Sequence, residues 1–239
     1  MEAAASNPSS KRIALVTGGN KGVGLETCRQ LASKGLKVVL TARNAARGLE
    51  AVEDVRRSGA DAVFHQLDVT DPNSVARLAD FVRDQFGKLD ILVNNAAVGG
   101  VEYGQEFDTN EEKHIGSEEV RQELNDVDNL TEGRLDDLLE KFIKDFKAGE
   151  LEMHGWSTKF SAYKVAKAAM NAYSRILAQG RPELHVNCAH PGFVKTDMSM
   201  GSGVLTPEEG ARNLVKVALL PDGGPTGAYF AMGEEAPFV

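Results

Sequence analysis

Cysteine is almost absent from this chain. Cys28 and Cys188 are the only two among 239 residues, which excludes a disulfide framework. Neither they nor His65, His114, His154, His185 and His190 stand at metal-ligand spacing, so no metal site is expected. Long apolar runs are missing too: no stretch approaches the roughly 18 residues of a membrane-crossing helix. Met1–Ser10 lacks the basic start and apolar centre of a secretory leader, so the expected compartment is the cytosol, with no membrane partner. Positive charge is in deficit. With 27 Lys and Arg against 35 Asp and Glu the net charge is −8, which argues against a nucleic-acid partner.

What is present is ordinary globular composition, 42% hydrophobic and 26% charged, enough to build one core. The expectation is a disordered N-terminus over residues 1–10 followed by a single domain over 11–239. The acidity is local. Residues 101–155 hold 17 Asp or Glu against 6 Lys or Arg, a net −11, which leaves the remainder at +3. That segment reads as an acidic helical insert with a solvated surface, set in a body that suits an anionic ligand such as a nucleotide.

Short β-branched runs alternate with helical patterns from the start. Strands are expected at Arg12–Thr17, Lys37–Ala42, Ala62–Leu67 and Leu89–Asn94. Between them lie helices near 23–34, closed by Gly35, near 45–58, and one opened by Pro72–Ser74. This rhythm predicts an α/β fold, a Rossmann-like doubly wound parallel sheet with helices on both faces. It then fails over 101–130, where no run of strand length occurs. Thr131–Ala148 is an amphipathic helix whose Leu135, Leu138, Leu139, Phe142 and Phe146 form one stripe that needs a surface to cover. A helix over about 160–179, a strand at Leu184–Ala189, a helix after Pro207 and a strand near 228–231 follow.

Three groups of residues carry chemistry. The first strand runs into Gly18, Asn20, Lys21, Gly22, Val23 and Gly24 before the first helix; glycines there allow a pyrophosphate to approach helix N–H groups, although a G-x-x-x-G-x-G turn is also a possible plain cap. About 20 residues on, where an NAD-selective fold has an acid, stands Arg43. A cation suits a 2′-phosphate, with Lys21 as a second charge, so the expected cofactor is NADPH; a lone surface arginine is the competing reading. Tyr163 and Lys167 share a helix face at i and i+4, where an ammonium favours the phenolate and makes the pair a proton donor for a carbonyl. Taken alone, that spacing is common and more often marks a solvated helix face.

Together, residues 17–24, Asp68 with Val69, the run Asn94 to Ala97, Tyr163 with Lys167, and Pro191, Gly192 with Thr196 resemble the short-chain dehydrogenase/reductase family over nearly the whole chain. The stretch from Asn125 to Trp156 and the run Phe193–Asp197 are similar to its plant carbonyl reductase branch. The resemblance implies that Gly18, Gly22 and Gly24 hold the pyrophosphate, and that Asn20, Lys21 and Arg43 hold the adenosine ribose and its phosphate. By the same resemblance Asp68 and the Val69 backbone meet the adenine, while Asn94 and Ala96 belong to the Asn-Asn-Ala-Gly motif, in which Ala97 replaces the glycine. Lys167 would bond the nicotinamide ribose, Val194 and Thr196 the carboxamide side beyond Pro191 and Gly192, and Tyr163 would be the general acid. Substrate specificity would come from residues 98–104, the insert and the loop after Asp197, and the insert helix would keep the chain a monomer.

One departure stands out. The family places an apolar strand ending in a catalytic serine before the tyrosine, whereas the only serines here between Asn95 and Tyr163 are Ser117, Ser157 and Ser161, and none follows an apolar strand. The chain resembles a member with an internal deletion that removes the fifth strand of a 3-2-1-4-5-6-7 sheet. The strands on either side must then pair directly or leave open edges. Two functions follow from the resemblance: an NADPH-dependent reductase of a small ketone or aldehyde, or a weak or inactive nucleotide-binding member without the serine.

Overall fold

A computed structural model describes residues 11–97, 117–126 and 128–238. The expected disordered N-terminus and residues 98–104 lie outside them. The chain divides into two compact units, one of residues 1–97 with 193–218 and the other of 98–192 with 219–239.

The first unit is built on four parallel strands, β1 Ile13–Val16, β2 Lys37–Ala42, β3 Ala62–Gln66 and β4 Ile91–Val93, in the order β3-β2-β1-β4. Their register sets Leu15 beside both Val39 and Leu92. The helices are α1 Gly22–Ser33, α2 Ala45–Arg57, α3 Pro72–Phe86 and, later in the chain, α7 Pro207–Ala218, which packs on α1. The sequence sets their ends. Asn44 caps α2 by accepting from the Arg47 N–H, and Asp71 with Pro72 opens α3, which stops at Gly87 in the left-handed region. One layer of core joins Ile13, Leu15, Val39, Leu67, Leu78 and Val82 between sheet and α3. Central strands with no exposed face explain why β1 and β2 are apolar without alternation.

The second unit contains α4 Glu118–Asn125, α5 Glu132–Ala148, α6 Ser161–Gly180 and a three-stranded sheet. Its strands are β5 Cys188–His190, β6 Tyr229–Ala231 and β7 Glu234–Ala236, with β5 parallel and β7 antiparallel to β6. The insert packs on α6: Leu135, Leu138 and Phe142 join Val120, Leu124, Leu130 and Trp156 against Val165, Ala169 and Ala172. Trp156 meets Phe142 edge-on and donates its indole N–H to buried Asp145 at 2.9 Å, so the acidic helix end is fastened by a satisfied polar contact. Asp145, Glu150 and His154 bring ligand-type atoms within 4.8 Å of one another there.

Two expectations change. Phe146 is 54% exposed, because the buried face of α5 is narrower than its apolar stripe. The strand expected over 184–189 is regular only at Cys188–His190; upstream, the Val186 N–H is taken by the Thr226 hydroxyl and Asn187 bonds the 225 and 228 backbone through its side chain. Helix α4 was not anticipated, and neither was β7. As for the missing fifth strand, β4 and β5 belong to separate sheets. Among the described residues β4 pairs only with β1, and β5 only with β6. No helix of the described residues is long and apolar enough to cross a membrane.

Candidate functional site

In the first unit the end of β1 turns sharply into α1, and the turn is held from β4. The buried Thr17 hydroxyl accepts from the Asn95 and Ala96 N–H groups, both at 2.9 Å, while Asn95 Nδ2 donates to the Thr17 carbonyl at 2.9 Å. Gly18 sits at φ +64°, a conformation that favours glycine. A Cβ on Gly24 would lie 2.4 Å from Asn95 Nδ2 and 2.5 Å from the Gly18 carbonyl, so no side chain fits there. Thr17 and Asn95 were not among the expected site residues. Their role is carried by side-chain bonds to backbone, which leave no periodicity or spacing to read.

This cradle fits a dinucleotide phosphate. Lys21 occupies the N-cap of α1 with no side-chain cap bond, and the first turn holds no acid, so the helix N–H groups and positive dipole end are left for an anion. Asn20 and Val23 are half-buried at the turn, and Gly22 lies beside Thr196, whose Cγ2 would sit 3.4 Å from a Cβ placed there. Arg43 is exposed where β2 ends, and its carbonyl accepts from Gln66 Nε2. Asp68 follows β3. The backbone N–H of Thr70 first, then its hydroxyl, hold the Asp68 carboxyl below the usual carboxylate range, with the charge of Arg43 adding to them. Val69 and Asn94 are exposed on the same unit, as is Ala96. Val194 is buried and bridges Leu205 in parallel, while Ser199 fastens the loop by donating to the Val194 carbonyl at 2.7 Å and accepting from the Thr196 N–H at 3.0 Å.

The second unit holds the remaining candidates. Tyr163 and Lys167 are half-buried on α6, with Lys167 Nζ 5.9 Å from the centre of the Tyr163 ring. Burial pushes the Lys167 ammonium below the ordinary lysine range; the opposing pull comes from Cys188 on β5. Burial also pushes the Cys188 thiol up, so at neutral pH it is uncharged and that pull is absent. Lys167 is therefore a cation held at a cost, ready to stabilise a neighbouring anion. Pro191 and Gly192 follow β5, with Gly192 at φ +95° and its N–H donating to His190 Nδ1 at 3.2 Å. The cofactor-loop residues thus gather on one unit, whereas Tyr163, Lys167, Pro191 and Gly192 gather on the other.

The three intervening serines are engaged elsewhere. Ser117 caps α4, Ser157 accepts from Lys164 Nζ at 3.1 Å, and Ser161 is buried in the first turn of α6. None of them directly follows a strand of the described residues.

The chain resembles known proteins over most of its length. Residues 12–128 match the short chain dehydrogenase family. The chain is 40% identical to "Short-chain dehydrogenase/reductase 1" of Saponaria officinalis, with all of both chains covered. It is 37% identical to "Carbonyl reductase [NADPH] 3" of Rattus norvegicus, over 89% of this chain and 92% of that one. The structure of salutaridine reductase from Papaver somniferum superposes with a TM-score of 0.85 at 37% identity, over 92% of this chain and 99% of that one. The Saponaria alignment runs over 301 positions and takes in all 239 residues here, so at least 62 of its positions face a gap in this chain.

Proposed function

The chain belongs to the short-chain dehydrogenase/reductase family, and from that premise we propose that it binds NADPH and reduces a small ketone or aldehyde to the alcohol. The observation that carries the reading is the phosphate cradle: a glycine turn clamped by Thr17 and Asn95, facing an uncapped helix N-terminus. A rat relative is named for NADPH, and exposed Arg43, where an NAD-selective site has an acid, fits the 2′-phosphate. The bound nicotinamide supplies the hydride. Tyr163 donates the proton from its phenol to the developing alkoxide, and the Lys167 ammonium lowers the cost of the phenolate left behind. Gly18, Gly22 and Gly24 admit the pyrophosphate, Asn20, Lys21 and Arg43 grip the adenosine side, and Val194 and Thr196 bound the nicotinamide side.

The rate is set by what is missing. No serine directly follows a strand of the described residues, so Tyr163 is the donor assigned to the substrate oxygen, where a preorganised second one commonly contributes about 10² to 10³ in rate. A nucleotide-binding member without turnover is the second reading, favoured by the lack of a serine directly after any strand of the described residues. The insert covers α6 with an apolar core, which supports a monomer. Purified protein should oxidise NADPH slowly with a panel of reactive ketones and aldehydes, and Tyr163→Phe should remove that activity. A wild-type rate no greater than that of Tyr163→Phe would favour the second reading.

A further inference from the structure

Lys21, the cation of the glycine turn, is already engaged: its Nζ lies 2.5 Å from the Asp197 carboxylate. Asp197 is well placed to hold it. The backbone on either side is fastened by buried Ser199, which bonds both Val194 and Thr196, and Thr196 packs beside Gly22. Arg47 contributes a second positive charge near Asp197, while both partners of the pair stay exposed and free to exchange. A carboxylate here neutralises the ammonium that a dianionic phosphate would otherwise meet.

We infer that Asp197 is a positioning residue that competes with the 2′-phosphate of the cofactor for Lys21, and so tempers the preference for NADPH over NADH. The inference rests on the reading that Lys21 meets that phosphate. NADH carries no group at this place and gains nothing from freeing the lysine. Exposed ion pairs are weak and screened by salt, so the effect amounts to a factor of about two to five and shrinks as ionic strength rises.

The test is a set of dissociation constants for NADPH and NADH, measured by nucleotide fluorescence at one low ionic strength with wild type, Asp197→Asn, Asp197→Glu, Lys21→Ala and the double variant Lys21→Ala with Asp197→Asn. Asp197→Asn should tighten NADPH about two- to fivefold and leave NADH unchanged. Asp197→Glu, which keeps the carboxylate, should restore the wild-type ratio. In the Lys21→Ala background the gain from Asp197→Asn should disappear. The inference is overturned if Asp197→Asn loosens NADPH, shifts both nucleotides equally, or gives the same gain without Lys21. A Lys21→Ala variant with an unaltered preference for NADPH over NADH would overturn the underlying reading as well; a lowered preference with no gain from Asp197→Asn would overturn the inference alone.

Discussion

Replacing Gly24 by alanine tests the phosphate cradle without touching a charge. Gly24 lies in the first turn of α1, where helix propensity alone would reward alanine by about 1 kcal/mol. The new methyl would instead lie 2.4 Å from Asn95 Nδ2 and 2.5 Å from the Gly18 carbonyl, roughly 1 Å inside ordinary contact distance. Neither atom can easily retreat, because Asn95 Nδ2 is bonded to the carbonyls of Thr17 and Gly18. Overpacking of this kind costs about 1 to 3 kcal/mol, so a net loss of up to about 2 kcal/mol remains, or up to roughly 8 °C in Tm. The nucleotide should suffer more. Each charge-assisted bond from the turn to the pyrophosphate is worth about 1.5 to 3 kcal/mol, so displacing the turn should weaken NADPH about ten- to a hundredfold per bond lost. Fluorescence titration and thermal unfolding of the same sample measure both. Gly133→Ala, in α5 with nothing within 4 Å, is the control and should raise Tm slightly with no change in binding. A Gly24→Ala protein that binds NADPH as tightly as wild type would refute the cradle.

Arg43→Ala should weaken NADPH by about 1.5 to 3 kcal/mol while barely affecting NADH, and equal losses in paired titrations would place the arginine outside the phosphate site. Phe142→Ala should lower stability by about 3 to 5 kcal/mol in denaturant unfolding, since the ring is buried between α6 and Trp156; a loss under about 1 kcal/mol would show that the insert does not pack as described. Asp61 is held below the usual carboxylate range by its hydrogen bond from Lys37, then by that from Lys11. Its folded pKa lies under the unfolded one, so the stability it gives is present above the unfolded value of about 3.9 and lost as pH falls through the folded value. Asp61→Asn should therefore flatten the acid arm of a Tm against pH curve below about pH 4, and an unchanged slope would contradict the assignment.

Much of this was legible in the chain itself. Strands β1 to β4 announce themselves as apolar runs closed by Gly18, Arg43, Asp68 and Asn94, and the helix starts at Asn44, Asp71 and Thr131 are written in capping residues. The cofactor loop and the Tyr163, Lys167 pair stood out through the family resemblance rather than through spacing alone, although one turn and one helix bring each set together locally. Contacts between distant segments could not. Ser199 reaching back to Val194, Asn95 clamping Thr17, and Lys21 turning to Asp197 across 176 residues depend on how the loops fold over one another. The start of β5 was misplaced for the same reason, because Val186 finds its partner in the Thr226 side chain rather than in a ladder. Helix α4 is hidden by its own polarity, with only Val120 and Leu124 buried in eight residues.

The central claim is that the cofactor half of the site is intact while the chemistry is weakened. One preparation of the chain should be used both to titrate NADPH by fluorescence and to follow steady-state reduction of a reactive ketone, beside the Saponaria relative under the same conditions. NADPH affinity within about tenfold of the relative, together with turnover lower by about 10² or more and abolished in Tyr163→Phe, is the predicted result. Turnover equal to that of the relative would contradict the account, by showing that another group supplies the missing donor to the substrate oxygen.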